Sequence, residues 1–258
     1  MITSEWEVVC FGPSHKFAMA ASTRFKIVGI VNENQRFNQS LYDFAILRQI
    51  KYFPVSSKEQ FKNSHWRAEL GLSFGFGLIF NERQIDSFGR GIWNIHPGKL
   101  PKYRGRHTVG WAIINGETEL TVSLHAINHE IDKGMLLAEE LIPMSELDSQ
   151  AELERLIENT ACRKLLDKGI AAELNGNKTE ITDGSYLPPL DEKWNIIDPQ
   201  KIDGLLLYRI MKTKKKYGGI QIGEKHYRDC QFVFDGARAT YNEDDIFICK
   251  DGIEVYLK

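Results

Sequence analysis

The chain has 258 residues, enough for one or two domains whose core needs no staple. Thirty-three Lys and Arg stand against 35 Asp and Glu, for a net charge of -2, and 42% of the residues are hydrophobic. That composition excludes a disordered chain, a collagen and a coiled-coil rod, and the near-neutral balance excludes a partner held by bulk positive charge. No apolar run approaches the roughly 20 residues of a membrane span. Met1 to Trp6 lacks the charged and apolar regions of a signal peptide, so a cytoplasmic location without a membrane partner is expected. The cysteines Cys10, Cys162, Cys230 and Cys249 are scattered without Cys-x-x-Cys or Cys/His clustering, so neither a disulfide framework nor a metal is expected.

In chain order, Glu7 to Phe11, Phe25 to Val31, Leu70 to Phe74, Gly91 to Ile95 and Leu120 to Ile127 are short apolar runs that predict strands. Leu41 to Ile50 and Val109 to Asn115 have helical spacing. The alternation predicts an α/β domain, Rossmann-like, with a mostly parallel sheet and helices on both faces. The first strand-to-helix turn, Cys10 to Lys16, contains no G-x-G-x-x-G, which argues against a nicotinamide dinucleotide there and leaves a turn with a helix N-cap at Ser14. Leu153, Leu156, Ile157, Cys162, Leu165 and Leu166 predict one amphipathic helix over Glu152 to Leu174, closing the first domain. Asn175 to Lys178, Asp183 to Ser185 and Pro188-Pro189 carry no periodicity and read as a connector. Beyond them a helix is predicted over Lys201 to Met211. Short alternating strands are then predicted at Gly219 to Ile222, Gln231 to Phe234, Arg238 to Tyr241, Ile246 to Cys249 and Ile253 to Leu257. The predicted division is a domain at 1–180, a connector at 181–194 and a small C-terminal β-rich domain at 195–258.

Trp93-Asn-Ile-His-Pro-Gly98 carries the chemistry. On a parallel strand Asn94 and His96 share one face, and Pro97-Gly98 stops the strand just beyond them. Both side chains then sit at a strand's carboxyl end, where open α/β sheets bind ligands. An amide N-H can donate to a developing oxyanion, and an imidazole can move a proton near neutral pH. The third group is expected to be Asp132, in the loop Asn128 to Gly134, holding His96 and raising its pKa by charge pairing. From spacing alone, an isolated Asn-x-His is more often a capping or turn-forming pair.

Asn94-Ile-His-Pro-Gly-Lys-Leu-Pro-Lys-Tyr-Arg-Gly105, Trp111-Ala-Ile-Ile-Asn-Gly-Glu117, Thr121-x-Ser-x-His125 and Ile131-Asp-Lys-Gly134 follow one another in an order that resembles the formyltransferases using 10-formyltetrahydrofolate. A weaker resemblance extends over most of residues 1–180. The resemblance implies that Asn94, His96 and Asp132 are catalytic and that N10-formyltetrahydrofolate is the formyl donor, without a metal. It also implies a folate cleft lined by Phe74, Gly75, Phe76, Gly77, Leu78 and Ile79 and by the loop from Ala126 to Asp132, which contains Ile127 and Glu130. The glycines at a strand end agree, since a flat pterin can approach the backbone there, although close core packing would ask for them too. His125 either lines that cleft or packs in the core. In the implied mechanism an uncharged amine attacks the formyl carbon, and Asn94, with His96 if protonated, stabilises the oxyanion. The amine proton leaves through His96, Asp132 or water.

The loop from Lys99 to Arg106, with Tyr103, Arg104 and the adjoining His107, is either a contact for a phosphate-bearing acceptor or a solvated face. The run Lys212 to Lys216 with Tyr217 offers pyrophosphate contacts and a stacking ring, or again a solvated face. Tyr186 to Pro189, Trp194 to Asp198 and Leu207 to Met211 look like the start of the C-terminal domain of methionyl-tRNA and nucleotide-sugar formyltransferases, with Arg209 at that pattern's arginine. Lys216-Tyr-Gly-Gly219 departs from the family's Pro-x-Pro-Gly element. Residues 195–258 carry 11 Lys and Arg against 10 Asp and Glu, too even a balance for tRNA binding driven by counterion release. The resemblance therefore implies formyl transfer to a nucleotide-linked, dTDP-linked amino-dideoxy sugar for surface polysaccharide (O-antigen, lipopolysaccharide). The partners would be small molecules rather than nucleic acid, and the assembly a homodimer. The rivals are a methionyl-tRNA formyltransferase, a formyltetrahydrofolate hydrolase and a non-catalytic binding module.

Overall fold

The structure, a computed structural model, describes residues 5–190, 194–232 and 246–258. The chain opens with β1 (Glu7–Phe11), α1 (His15–Ser22), β2 (Lys26–Glu33), α2 (Gln39–Leu47), β3 (Lys51–Val55), α3 (Lys58–Asn63), β4 (Leu70–Phe74), α4 (Glu82–Ile85) and β5 (Ile92–His96). It continues through β6 (Arg104–Gly105), α5 (Thr108–Asn115), β7 (Glu119–Ala126), β8 (Met135–Pro143), α6 (Gln150–Thr160), α7 (Leu166–Asn175) and β9 (Thr179–Glu180). Last come β10 (Tyr186–Leu187), α8 (Gly204–Lys214), β11 (Ile220–Ile222), β12 (Lys225–Tyr227), β13 (Cys230–Phe232), β14 (Ile246–Ile248) and β15 (Glu254–Leu257). The described residues form two compact units. One holds 1–104, 121–142 and 155–186, and the other holds 105–120, 143–154 and 187–258.

The first unit is built on an eight-stranded sheet in the order β3-β2-β1-β4-β5-β7-β8-β9. The pairings β3·β2, β2·β1, β1·β4 and β4·β5 are parallel, and β5·β7 and β8·β9 are antiparallel. The strand order reverses between β1 and β4, the switch point at which doubly wound sheets open a crevice. Strands covered on both faces read as continuous apolar runs, which is why β1, β4, β5 and β7 are legible in the sequence. β3 is an edge strand with Pro54 and an exposed Phe53, so it shows neither the run nor a clean alternation. Val9, Phe11, Val31, Val55, Phe61, Trp66, Phe88 and Ile92 form one core cluster of this unit.

Ser14 caps α1 as expected, accepting from the Phe17 N-H at 2.9 Å, and its hydroxyl donates to Glu158 at 2.6 Å. An internal carboxylate thus sits at the helix end that would otherwise attract an anion. The single helix expected over Glu152 to Leu174 instead runs as α6, a π turn at Ala161–Leu165, and α7. α7 lies so close on the sheet that a Cβ at Gly169 would collide with the Leu124 side chain and press on Trp93, so a larger residue would have to displace them. Beside it, Arg24 is buried and grips Asp167 with two parallel bonds of 2.7 and 2.8 Å, which hold the Asp167 carboxyl below its usual range.

The second unit contains α5, whose residues Thr108 to Ile114 are all buried, packed against α8. An all-round apolar helix needs such cover. β11 and β12 form an antiparallel hairpin, and β13, β15 and β14 an antiparallel sheet. The strand expected at Arg238 to Tyr241 lies outside the described residues, as does the end of the one expected at Gln231 to Phe234. No helix among the described residues is long and apolar enough to cross a membrane. Burial pushes every cysteine thiol up, Cys10 to about 12, in keeping with small buried hydrophobes.

Arg24→Ala leaves Asp167 without its partner and opens a gap beneath α1. It is expected to cost about 2 kcal/mol, less than the ~3–5 kcal/mol of a fully buried pair because Asp167 keeps partial solvent access. Urea denaturation measures it.

Candidate active site

The antiparallel register of β5 with β7 sets Asn94 opposite His125 and His96 opposite Ser123. Because side chains alternate along a strand, all four lie on one face of the sheet. The loop after β7 folds back over that face and brings the Asp132 carboxylate to both imidazoles. Asp132 Oδ1 lies 3.6 Å from His96 Nδ1 and 3.5 Å from His125 Nε2. Asn94 Nδ2 is 3.3 Å from His125 Nε2, and the two rings stand at 82° with centroids 6.3 Å apart. His96, His125 and Asp132 are buried, while Asn94 is half-buried.

His96 Nε2 lies 2.5 Å from the Tyr103 carbonyl oxygen. A carbonyl only accepts, so Nε2 carries a hydrogen and the neutral ring keeps its lone pair on Nδ1, the nitrogen facing Asp132. The sequence reading expects Asp132 to raise the His96 pKa, and the net direction is the reverse. Burial of the ring pushes it down. The Asp132 charge offsets this only in part, and the neighbouring His125 adds to the lowering. Burial is a tertiary property that spacing does not reveal.

Asp132 sits in the left-handed region at φ 53, a conformation that costs a non-glycine residue about 1 kcal/mol. The loop is braced from several sides. Asn128 Nδ2 donates to the Lys133 carbonyl at 2.7 Å, and its Oδ1 accepts from the Glu130 N-H at 2.9 Å. Lys133 reaches Glu130 at 2.9 Å and Asp183 at 2.8 Å. A Cβ at Gly134 would collide with the Ala126 carbonyl, so this return of the chain requires glycine. Arg104 donates from Nε and Nη2 to the Ile131 carbonyl at 3.1 and 3.0 Å.

At the carboxyl end of β4, Gly75 and Gly77 are exposed, Phe74 and Phe76 are half-buried and Ile79 is two-thirds exposed. Phe76, Leu78 and Ile127 pack against the core cluster, so the two segments expected to line the folate cleft share one apolar base. Glu130 is exposed and lies on Lys133, which lowers its carboxyl pKa. Two residues absent from the sequence reading secure the glycine segment. Glu33, at the end of β2, accepts from the Gly77 N-H at 2.8 Å, and Arg36 donates to the Gly75 carbonyl. These contacts join positions about forty residues apart, and no local pattern announces them.

The remaining expected contacts are placed as follows. In the first unit, Lys99 is exposed, and Tyr103 is buried with its carbonyl on His96. In the second unit Arg106 is exposed. His107 Nδ1 accepts from the Leu190 N-H at 2.9 Å, and its ring lies 4.6 Å from that of Tyr217. Arg209 pairs with Glu146, with Nε at 3.0 and 3.1 Å from the two carboxylate oxygens. Lys212 donates to the Glu146 carbonyl, Lys215 pairs with Asp229 at 2.7 Å, and Lys216 pairs with Glu154. Lys214 is fully buried, with Nζ on the Leu190 carbonyl at 2.9 Å and on Asn195. Among the described residues no group of three or more His, Cys, Asp and Glu is arranged to hold a metal ion.

An open α/β sheet that collects an amide, two imidazoles and a buried carboxylate on one face has the parts of an acyl-transfer centre. Residues 19–167 match the formyl transferase family, and the chain belongs to it. A methionyl-tRNA formyltransferase of Azobacteroides pseudotrichonymphae is 30% identical over 138 residues, which cover 48% of this chain and 42% of that protein. The chain spans less than half the length of the curated relatives it matches. Two solved structures share its fold along their whole length. The N-formyltransferase from Helicobacter canadensis, in complex with folinic acid and dTDP-3-aminofucose, has a TM-score of 0.72 at 19% identity, covering 100% of this chain and 99% of its own. WlaRD, a sugar 3N-formyl transferase in the presence of dTDP and 5-N-formyl-THF, has a TM-score of 0.70 at 20% identity, covering 100% and 97%.

The lowered His96 pKa fixes a sign. Below the ordinary value of about 6.5 the unfolded chain binds a proton that the folded chain refuses, so this residue makes stability fall as the pH drops from there through the folded value. His96→Gln is expected to flatten that part of the curve of denaturation midpoint against pH. An unchanged slope would contradict the burial argument.

Proposed function

We propose that this protein transfers the formyl group of N10-formyltetrahydrofolate to the amino group of a nucleotide-linked amino-dideoxy sugar carried on dTDP. The observation that carries the reading is the meeting of Asn94, His96 and Asp132 in one buried cluster at the end of β5, in a chain of the formyl transferase family. The sugar acceptor is supported by the full-length likeness to two structures described with dTDP or a dTDP-amino sugar and a formyl-folate. The reading brings with it a cytoplasmic site of action, together with a role in O-antigen or lipopolysaccharide assembly and a homodimeric state, the last two resting on the family resemblance.

Formyl-folate supplies an electrophilic carbonyl carbon, and the chain's own residues do the rest. The exposed backbone at Gly75 and Gly77, above an apolar base of Phe76, Leu78 and Ile127, suits a flat heterocycle. Asn94, half-buried beside the buried pair, donates to the oxyanion that forms as the amine adds. His96, neutral because it is buried, accepts the proton that the attacking nitrogen loses. Its lone pair faces Asp132, and the carboxylate stabilises the imidazolium as it forms. His96 therefore works here as a base before it can act as a cationic donor. Collapse of the tetrahedral centre breaks the bond to the folate nitrogen, which takes up a proton.

A methionyl-tRNA acceptor is the second reading, favoured by the curated relatives that match about half of the chain. The even charge of residues 195–258 weighs against it.

Incubation with 10-formyltetrahydrofolate and a panel of dTDP-linked 3-amino and 4-amino sugars is expected to give a sugar product heavier by one formyl group. Formylation of charged tRNA with no sugar product would sink the proposal. Asn94→Ala and His96→Ala are each expected to slow turnover by about a hundredfold or more, and a near-normal rate in either would remove that residue from the mechanism.

A further inference from the structure

We propose that Arg104 is a positioning residue for the His96–Asp132 pair, holding the backbone beside Asp132, rather than a contact for the acceptor's phosphates. Both Nε and Nη2 of its guanidinium are directed at one oxygen, the Ile131 carbonyl, at 3.1 and 3.0 Å. That carbonyl belongs to the peptide unit shared with Asp132, the residue held at positive φ. A charge-assisted, two-donor grip of this kind fixes the peptide plane as well as its position.

The neighbouring residue makes the arrangement specific. The Tyr103 carbonyl receives the His96 Nε2 hydrogen, so two consecutive residues of one loop hold the two halves of the pair. Tyr103 fixes the imidazole through its main chain, and Arg104 fixes the carboxylate's loop through its side chain. Asp132 Oδ1 stands 3.6 and 3.5 Å from the two rings, just beyond hydrogen-bond length, so a small displacement of the loop changes which ring it faces. The groups that set the His96 charge are Asp132 on the loop, His125 on β7 and the Tyr103 carbonyl. Of these Asp132 is the one that Arg104 can move.

Arg104→Lys separates the two roles. Lysine keeps the charge and binds phosphate well, but it cannot present two fixed donors to one oxygen. Its catalytic arm rests on the formyl transfer proposed above. With the dTDP-amino sugar that the wild type accepts, Arg104→Lys and Arg104→Ala are both expected to lower kcat at least tenfold while leaving the acceptor KM within about twofold. In NMR titrations of the full chain, the His96 ring of both variants is expected to titrate at lower pH than in wild type, because the carboxylate that raises it has moved away. An acceptor KM that rises while kcat holds would overturn the inference in favour of a phosphate contact. A His96 titration that stays in place would overturn it outright. Should the wild type formylate no acceptor, the functional reading falls, and the His96 titration still decides the role of Arg104.

Discussion

The chemistry of the first unit depends on one pairing, the antiparallel register of β7 against β5. With Asn94 opposite His125 and His96 opposite Ser123, amide and imidazoles share a face. A slip by one residue would turn the β7 members to the other side of the sheet. Every other feature of the site serves that face. The loop from Ile127 to Gly134 returns over it, Gly134 permits the return, and the Tyr103 carbonyl fills the far nitrogen of His96. Burial then lowers the pKa of the histidine, and Asp132 stands where a carboxylate offsets part of that cost for a charged ring.

Several parts of this were legible in the sequence, and the reasons differ. β1, β4, β5 and β7 are buried on both faces and announce themselves as apolar runs, and β4 matches its expected bounds from Leu70 to Phe74. β3 fails that test because it is an edge strand containing Pro54. β8 was missed because Glu139 and Glu140 interrupt its apolar residues. Asn94 and His96 were readable because two positions on one strand must share a face. Asp132 is legible as the carboxylate in the loop after the strand ending near Ile127, and the family pattern implies the same residue. Glu33 and Arg36 required the fold itself, because only the parallel order β2-β1-β4 brings them to the glycine segment. The upward push of Asp132 on the His96 pKa is legible from the motif, whereas the larger downward push of burial is not, because desolvation is a tertiary property.

In the second unit the basic run shows how little charge alone decides. Lys212 and Lys214 reach backbone carbonyls, and Lys215 and Lys216 meet acidic partners. Leu190 is held at both ends of its peptide group, its N-H by His107 and its carbonyl by Lys214, while Trp111 donates to the Pro188 carbonyl at 2.8 Å. Just beyond β10, the stretch from Pro188 to Leu190 is therefore held by the side chains of His107, Trp111 and Lys214.

The Arg24–Asp167 pair ties the residue just after α1 to a helix far along the chain. Its members are 143 positions apart. Without residue 167 the guanidinium keeps its bonds to the Ala20 carbonyl and the Thr23 hydroxyl but loses its carboxylate, and burying the charge that way is unfavourable. A truncation that removes Asp167 also removes the helix whose Gly169 packs on Trp93 and Leu124, so one deletion takes away both the carboxylate of Arg24 and the cover of β5 and β7.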